Sequence, residues 1–67
     1  MFERIIDKRV NGWHLIIEHN IEKDYYDVWE FYKEEGRLYE IEVMCAPKCK
    51  SLQEAKKCVG STFRDII

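Results

Sequence analysis

The sequence predicts an α+β fold: an antiparallel three- to four-stranded meander sheet with one C-terminal helix packed across one face. Three observations predict it. Residues up to Cys45 fall into short runs rich in β-branched and aromatic side chains. Asn11-Gly12 sits between two such runs and tolerates the positive φ of a type I′ hairpin turn. Ser51-Leu52-Gln53-Glu54 then reads as a capping box, with Ser51 accepting from the amide of Glu54 and Glu54 reaching back to the amide of Ser51. An apolar helical stripe follows it.

The first run, 4–10, is compatible with an edge strand or a short helical turn, and strand is the preferred reading. The second, 13–19, alternates clearly: Trp13, Leu15 and Ile17 share one face, and His14, Ile16 and Glu18 the other. Asn20–Asp24 is a polar loop. The third strand, 25–33, is rich in aromatics. Glu34-Glu35-Gly36 suits a three-residue hairpin loop with Gly36 in the left-handed position, leading into a fourth strand at 38–45.

That loop sets a register. Trp29 falls opposite Ile41 and Phe31 opposite Tyr39, with Val43 and Cys45 on the same face. The other face then carries Tyr26, Val28, Glu30, Tyr32, Leu38, Glu40, Glu42 and Met44. A two-residue loop would shift the pairing by one and bring Glu30 among core residues, so the hydrophobic pattern favours the longer loop. The cost is a like-charge pair, Glu30 opposite Glu40. The helix is expected over about 52–65, with Leu52, Ala55, Val59, Phe63 and Ile66 recurring at spacings of three and four. This stripe should cover the face bearing Trp13, Leu15, Ile17, Trp29, Phe31, Ile41 and Val43. Gly60 lies within the helix at a cost of roughly 1 kcal/mol relative to Ala, which a close approach of helix to sheet would explain.

Sixty-seven residues make one domain, 1–67. Such a domain buries only about 60% of the surface that its unfolded chain exposes. No apolar run approaches the ~20 residues of a membrane span, and the N-terminal residues lack a signal-peptide core, so no membrane partner is expected. Three cysteines, an odd number, argue against a disulfide framework and agree with a reducing, cytoplasmic compartment. The net charge of −2 hides an asymmetry. Residues 1–46 carry six Lys/Arg against eleven Asp/Glu, and residues 47–67 carry five against two. The sheet is acidic and the helix basic.

Little of this points to catalysis. Cys45, Cys49 and Cys58 lack the paired spacing of a structural zinc site, so no metal and no cofactor is expected. Cys45 and Cys58 read as core residues, and Cys49 as an exposed thiol whose pKa Lys48 and Lys50 would lower. His14 and His19 lie on opposite strand faces. Ser51 serves as a cap, and Ser61 has no base nearby in sequence. No catalytic triad can be assembled and no glycine-rich phosphate loop is present, so the chain is not expected to be an enzyme.

Two binding readings remain. Lys48, Lys50, Lys56, Lys57 and Arg64 form the one basic cluster, as a site tracking a nucleic-acid backbone requires. The layout loosely resembles the N-terminal DNA-binding domain of phage integrases, in which a three-stranded sheet enters the major groove and one helix follows. That resemblance implies DNA contact through the exposed sheet face, and here this face carries Glu18, Glu30, Glu40 and Glu42. The favoured reading is protein binding through that outer face, by Tyr26, Glu30, Tyr32, Glu40, Glu42 and Met44, because tyrosine and methionine amid charges characterise binding patches. The competing ordinary reading is that the N-terminal segment, with Phe2, Ile5 and Ile6, covers the patch. An exposed face or edge also allows a homodimer.

Carboxylates at strand spacing can imitate a row of phosphates. In size, single-domain form and acidic sheet the chain looks like the small inhibitors of phages and mobile elements, anti-CRISPR and anti-restriction proteins among them. Its net charge is low for a strong mimic. The resemblance implies a non-catalytic inhibitor or adaptor acting on a nucleic-acid-processing complex.

Overall fold

The computed structural model describes residues 1–67. Four strands, β1 (Phe2–Val10), β2 (Trp13–Asn20), β3 (Tyr25–Tyr32) and β4 (Ile41–Cys49), form one antiparallel sheet in the order β1-β2-β3-β4. Two short helices follow, α1 (Leu52–Lys57) and α2 (Ser61–Arg64). The α+β meander is as expected, and the first segment is a strand. β1 and β4 are the sheet edges.

The first hairpin follows its turn chemistry. Asn11 and Gly12 take φ values of 48° and 86°, and Val10 pairs with Trp13. Gly12 is also held by proximity: a Cβ there would sit 2.8 Å from the Lys33 carbonyl oxygen. The Lys33 N–H donates to the Gly12 carbonyl at 2.9 Å, so this turn docks on the end of β3.

The second connection decides the faces. Asn20 pairs with Tyr25 across a four-residue turn, which sets odd-numbered residues of β2 opposite even-numbered residues of β3. Leu15 faces Glu30 and Ile17 faces Val28. Side chains directly opposite one another share a face. Trp13, Leu15 and Ile17 therefore lie with Tyr26, Val28, Glu30 and Tyr32, not with Trp29 and Phe31. The expected grouping of Trp29, Phe31, Ile41 and Val43 under the helix is overturned. So is the placement of Tyr26, Glu30, Tyr32 and Met44 on the outer face.

The third connection is longer than the expected three-residue loop. Gly36 does adopt a left-handed φ of 84°, inside a turn closed by the Arg37 N–H donating to the Glu34 carbonyl. β4, however, begins only at Ile41, with Tyr32 as its partner. Trp29 faces Cys45 and Phe31 faces Glu42, so β4 has slid from the expected register. The slide carries Met44 and Ala46 opposite Glu30 and Val28, where the helices cover them. It also lengthens the strand to Cys49. Lys48 takes a φ of 58° at an irregularity of the ladder, and its N–H donates to Asp27 Oδ1 at 2.8 Å.

The core consists of Leu15, Ile17, Val28, Cys49, Ala55, Val59 and Phe63, with Ile6, Val10, Trp13, Tyr26, Met44, Ala46, Leu52 and Ile67 packed around them. Ala55, Val59 and Phe63 of the expected stripe are buried. Ile66 is exposed, and Ile67 packs on the core instead.

The single helix expected over 52–65 is two helices. α1 is capped as the sequence indicates, with Ser51 Oγ accepting from the Glu54 N–H at 3.0 Å. Glu54 Oε2 accepts the Lys50 N–H at 2.6 Å rather than that of Ser51. The break at Gly60 has an identifiable cause. Glu30, only 5% exposed, accepts the Gly60 N–H on Oε1 at 2.7 Å and so removes it from the helical ladder. A Cβ at Gly60 would lie 3.0 Å from Glu30 Oε2. The close approach read from Gly60 is an approach to a buried carboxylate.

Candidate functional site

The outer sheet face is built from the even-numbered residues of β2 and the odd-numbered residues of β3. Ile16 faces Trp29, and His14 faces Phe31 with ring centroids 5.9 Å apart. Cys45 follows opposite Trp29, and Glu42 opposite Phe31. No helix covers this face. Ile16, Trp29 and Phe31 are half-buried by neighbouring strands, and Cys45 is exposed. Further exposed apolar side chains lie along the β4 edge and the preceding loop, where Ile41, opposite Tyr32, turns toward the helix side of the sheet. Val43 is 55% exposed, Ile41 62%, Tyr39 79% and Leu38 83%. Arg37, Leu38, Tyr39 and Ile41 line a shallow cavity of about 210 Å³.

An ionic row crosses the same face. His14 is buried, with Nε2 2.6 Å from Asp7 Oδ1 and Nδ1 2.9 Å from Glu40 Oε2. Both ring nitrogens face carboxylates, so the doubly protonated ring is the form that donates on both sides. Arg4 extends the row to Asp7 at 3.1 Å and Glu18 at 3.3 Å. The hydrogen bond from His14 is the largest influence on the Asp7 carboxyl, and with Arg4 it outweighs the opposing desolvation and holds that carboxyl below the usual carboxylate range. The Arg4 guanidinium is pushed up by its bonds to Asp7 and Glu18. Asp7, Glu18 and Glu40 thus each have a partner within the chain, in Arg4 or His14.

Of the six residues expected to form the protein-binding face, the structure leaves two beside it, Glu40 and Glu42. Glu40 is tied to His14, and Glu42 makes no ion pair. The other four belong to the helix side. Tyr26 stacks on His19 at 4.3 Å, Tyr32 packs on Trp13 at 4.8 Å, Met44 borders the core and Glu30 caps α2. The two histidines do lie on opposite faces.

The basic cluster is brought together in part. Lys56, Lys57 and Arg64, with Gln53, line an open cavity of about 460 Å³ between the two helices. Lys48 and Lys50 are not among its lining residues. They flank Cys49, and their amides go to Asp27 and Glu54.

The cysteine assignment is reversed. Cys45 and Cys58 are exposed, and Cys49 is buried at the end of β4. Burial, and then the neighbouring Cys58 thiol, push the Cys49 thiol up to about 11, opposite to the lowering expected from Lys48 and Lys50. Burial also raises the thiol of Cys45.

Sequence reasoning missed the roles of Asp7 and Glu40 on His14, because the β3–β4 loop that delivers Glu40 has no spacing signature. It also missed Tyr39, Ile41 and Val43 as exposed positions. The parity of the β2–β3 turn was the one signal that could have found them. No helix is long and apolar enough to cross a membrane. Comparison with protein-family models, curated proteins and solved structures gives no match.

Proposed function

We propose that this chain is a non-catalytic protein-binding domain, an inhibitor or adaptor of the kind that phages and mobile elements encode, acting in the cytoplasm. Its partner docks on the outer sheet face and the β4 edge. The observation that carries this reading is the set of exposed apolar side chains Leu38, Tyr39, Ile41 and Val43 along one loop and the β4 edge strand. Large exposed apolar groups next to one another, rimmed by charge, mark interaction surfaces. Trp29, Phe31 and Ile16 extend the patch across the sheet and supply the aromatic content typical of binding sites. An edge strand also offers unpaired backbone groups to a partner strand.

The chemistry of the ionic row supports a binding rather than a catalytic role. A general base needs a free lone pair within reach of a substrate proton. Both His14 nitrogens are occupied by carboxylates of the same chain. The row instead fixes the β3–β4 loop over the sheet, because Glu40 ties that loop to β2 and the apolar run begins beside it. Phosphate mimicry has a small part in this reading, since Asp7, Glu18 and Glu40 are already engaged by Arg4 or His14. Glu42 is the acid left for a partner.

The test is a pull-down of the tagged protein from host lysate with nuclease present, comparing wild type with L38D/Y39D, I41D/V43D and E42K. The expected result is a stoichiometric protein partner that both double variants lose while their thermal melts stay near wild type. Retention of that partner by both folded double variants refutes the proposed face. Absence of any protein partner that withstands nuclease refutes protein binding as the function.

A further inference from the structure

On the opposite side of the molecule, the groove between α1 and α2 is lined by Gln53, Lys56, Lys57 and Arg64. Three of the four are cations, and none of them takes part in any ion pair of the chain. This contrasts with the outer face, where Arg4 and His14 lie against Asp7, Glu18 and Glu40. Gln53, Lys56 and Lys57 stand at i, i+3 and i+4 and so share one face of α1. Arg64 comes from α2 and is held in place, its Nη2 donating to the Val59 carbonyl at 3.1 Å. That bond also satisfies a carbonyl beyond the end of α1. The cavity, about 460 Å³, lies in the range of small-molecule pockets, but no lining residue is hydrophobic. Its chemistry suits an extended polyanion lying across it, not an apolar ligand.

We infer that this groove is a binding site for the phosphate backbone of nucleic acid, separate from the protein-docking face. Unpaired cations at neighbouring helical positions would each displace counterions from phosphates, and the Gln53 amide adds a neutral donor. Recognition would be independent of sequence, because no aromatic or base-reading side chain lines the groove.

The experiment is fluorescence anisotropy of a labelled oligothymidine against the wild-type protein across a series of salt concentrations. Three cations neutralising three phosphates predict that log K falls with log salt at a slope of about −2. The K56E/K57E variant, and separately R64Q, should weaken binding at least tenfold at low salt. K8E/K23E, which reverses cations outside the groove, should leave it unchanged. Circular dichroism checks that each variant is folded. Absence of binding by wild type at low salt overturns the inference without any variant. So does a slope near zero, or equal loss in K8E/K23E. Displacement by millimolar inorganic phosphate beyond its ionic-strength effect also overturns it, in favour of a free-phosphate site. Because L38D/Y39D lies on the other side, it should bind the oligonucleotide as wild type does, so this site and the protein-docking face can fail independently.

Discussion

Replacing Glu30 by Ala separates the observed sheet from the one that periodicity suggests. On an outer face, Glu30 would be a solvated strand carboxylate, and its loss would fall within about ±0.5 kcal/mol. In the structure it lies between Leu15 and Met44 and receives the Gly60 N–H at 2.7 Å. A hydrogen bond to a charged acceptor contributes about 1.5–3 kcal/mol, and a donor left without a partner costs a similar amount. The expected loss for E30A is therefore about 2–3 kcal/mol. A 67-residue chain has roughly 3–10 kcal/mol of total stability, so this is a large share of it. At about 4–8 °C per kcal/mol, the melting temperature should fall by roughly 10–20 °C. E30Q keeps an acceptor oxygen and should lose about half as much. Urea unfolding followed by circular dichroism gives the stability. Amide hydrogen exchange at Gly60 gives the mechanism, since E30A should strip that amide of protection. A change below about 0.5 kcal/mol, or an unaltered Gly60 amide, would refute the capping argument and the register beneath it.

Three further expectations rest on the same faces. F63A should cost about 3–5 kcal/mol in urea unfolding, because Phe63 is fully buried, whereas W29T on the uncovered face should cost about 1 kcal/mol; near-equal losses would count against the assignment. In the folded protein iodoacetamide should modify Cys45 and Cys58 while Cys49 waits for unfolding, read by mass spectrometry of the labelled peptides; fast labelling of Cys49 contradicts its burial. Asp7 has a folded pKa below its unfolded value of about 4, so its contribution is complete above that value and is lost as pH falls through the lowered folded one. Stability measured between pH 5 and pH 2 should fall less steeply in D7N than in wild type, and identical slopes would remove Asp7 from the balance.

What was legible in the residues was what local chemistry decides alone. Asn11-Gly12 has one economical conformation and adopts it. Ser51 and Glu54 start α1 where their side chains permit, and Ala55, Val59 and Phe63 are all buried, although Val59 lies in the break between the helices. Gly60 marked a close approach, but a sequence does not say that the approaching group is a carboxylate thirty residues earlier. The β3–β4 loop was misread because Gly36 satisfies a left-handed position equally well in a three-residue hairpin and in the longer connection present. The cysteines differ from expectation for separate reasons: Cys45 takes its face from that loop, Cys49 belongs to a strand longer than 38–45, and Cys58 sits where the expected helix breaks off, at the end of α1.

The face error has a deeper source. β2 and β3 are apolar on both sides: Leu15 and Ile17 back onto Ile16, and Val28 backs onto Trp29 and Phe31. Alternation then establishes that two faces exist without saying which one the helices take. Bulk favours Trp29 and Phe31 for the core, and the structure gives the place to Val28 and Glu30. The four-residue β2–β3 turn forces this, since it binds the parity of β3 to that of β2 whatever the side chains prefer. Gly60 then accommodates the carboxylate that the parity delivers. The two short helices cover one face of the sheet only. The aromatics left on the uncovered side, together with the loop pinned there by His14 and Glu40, make that face the one with surface to offer a partner.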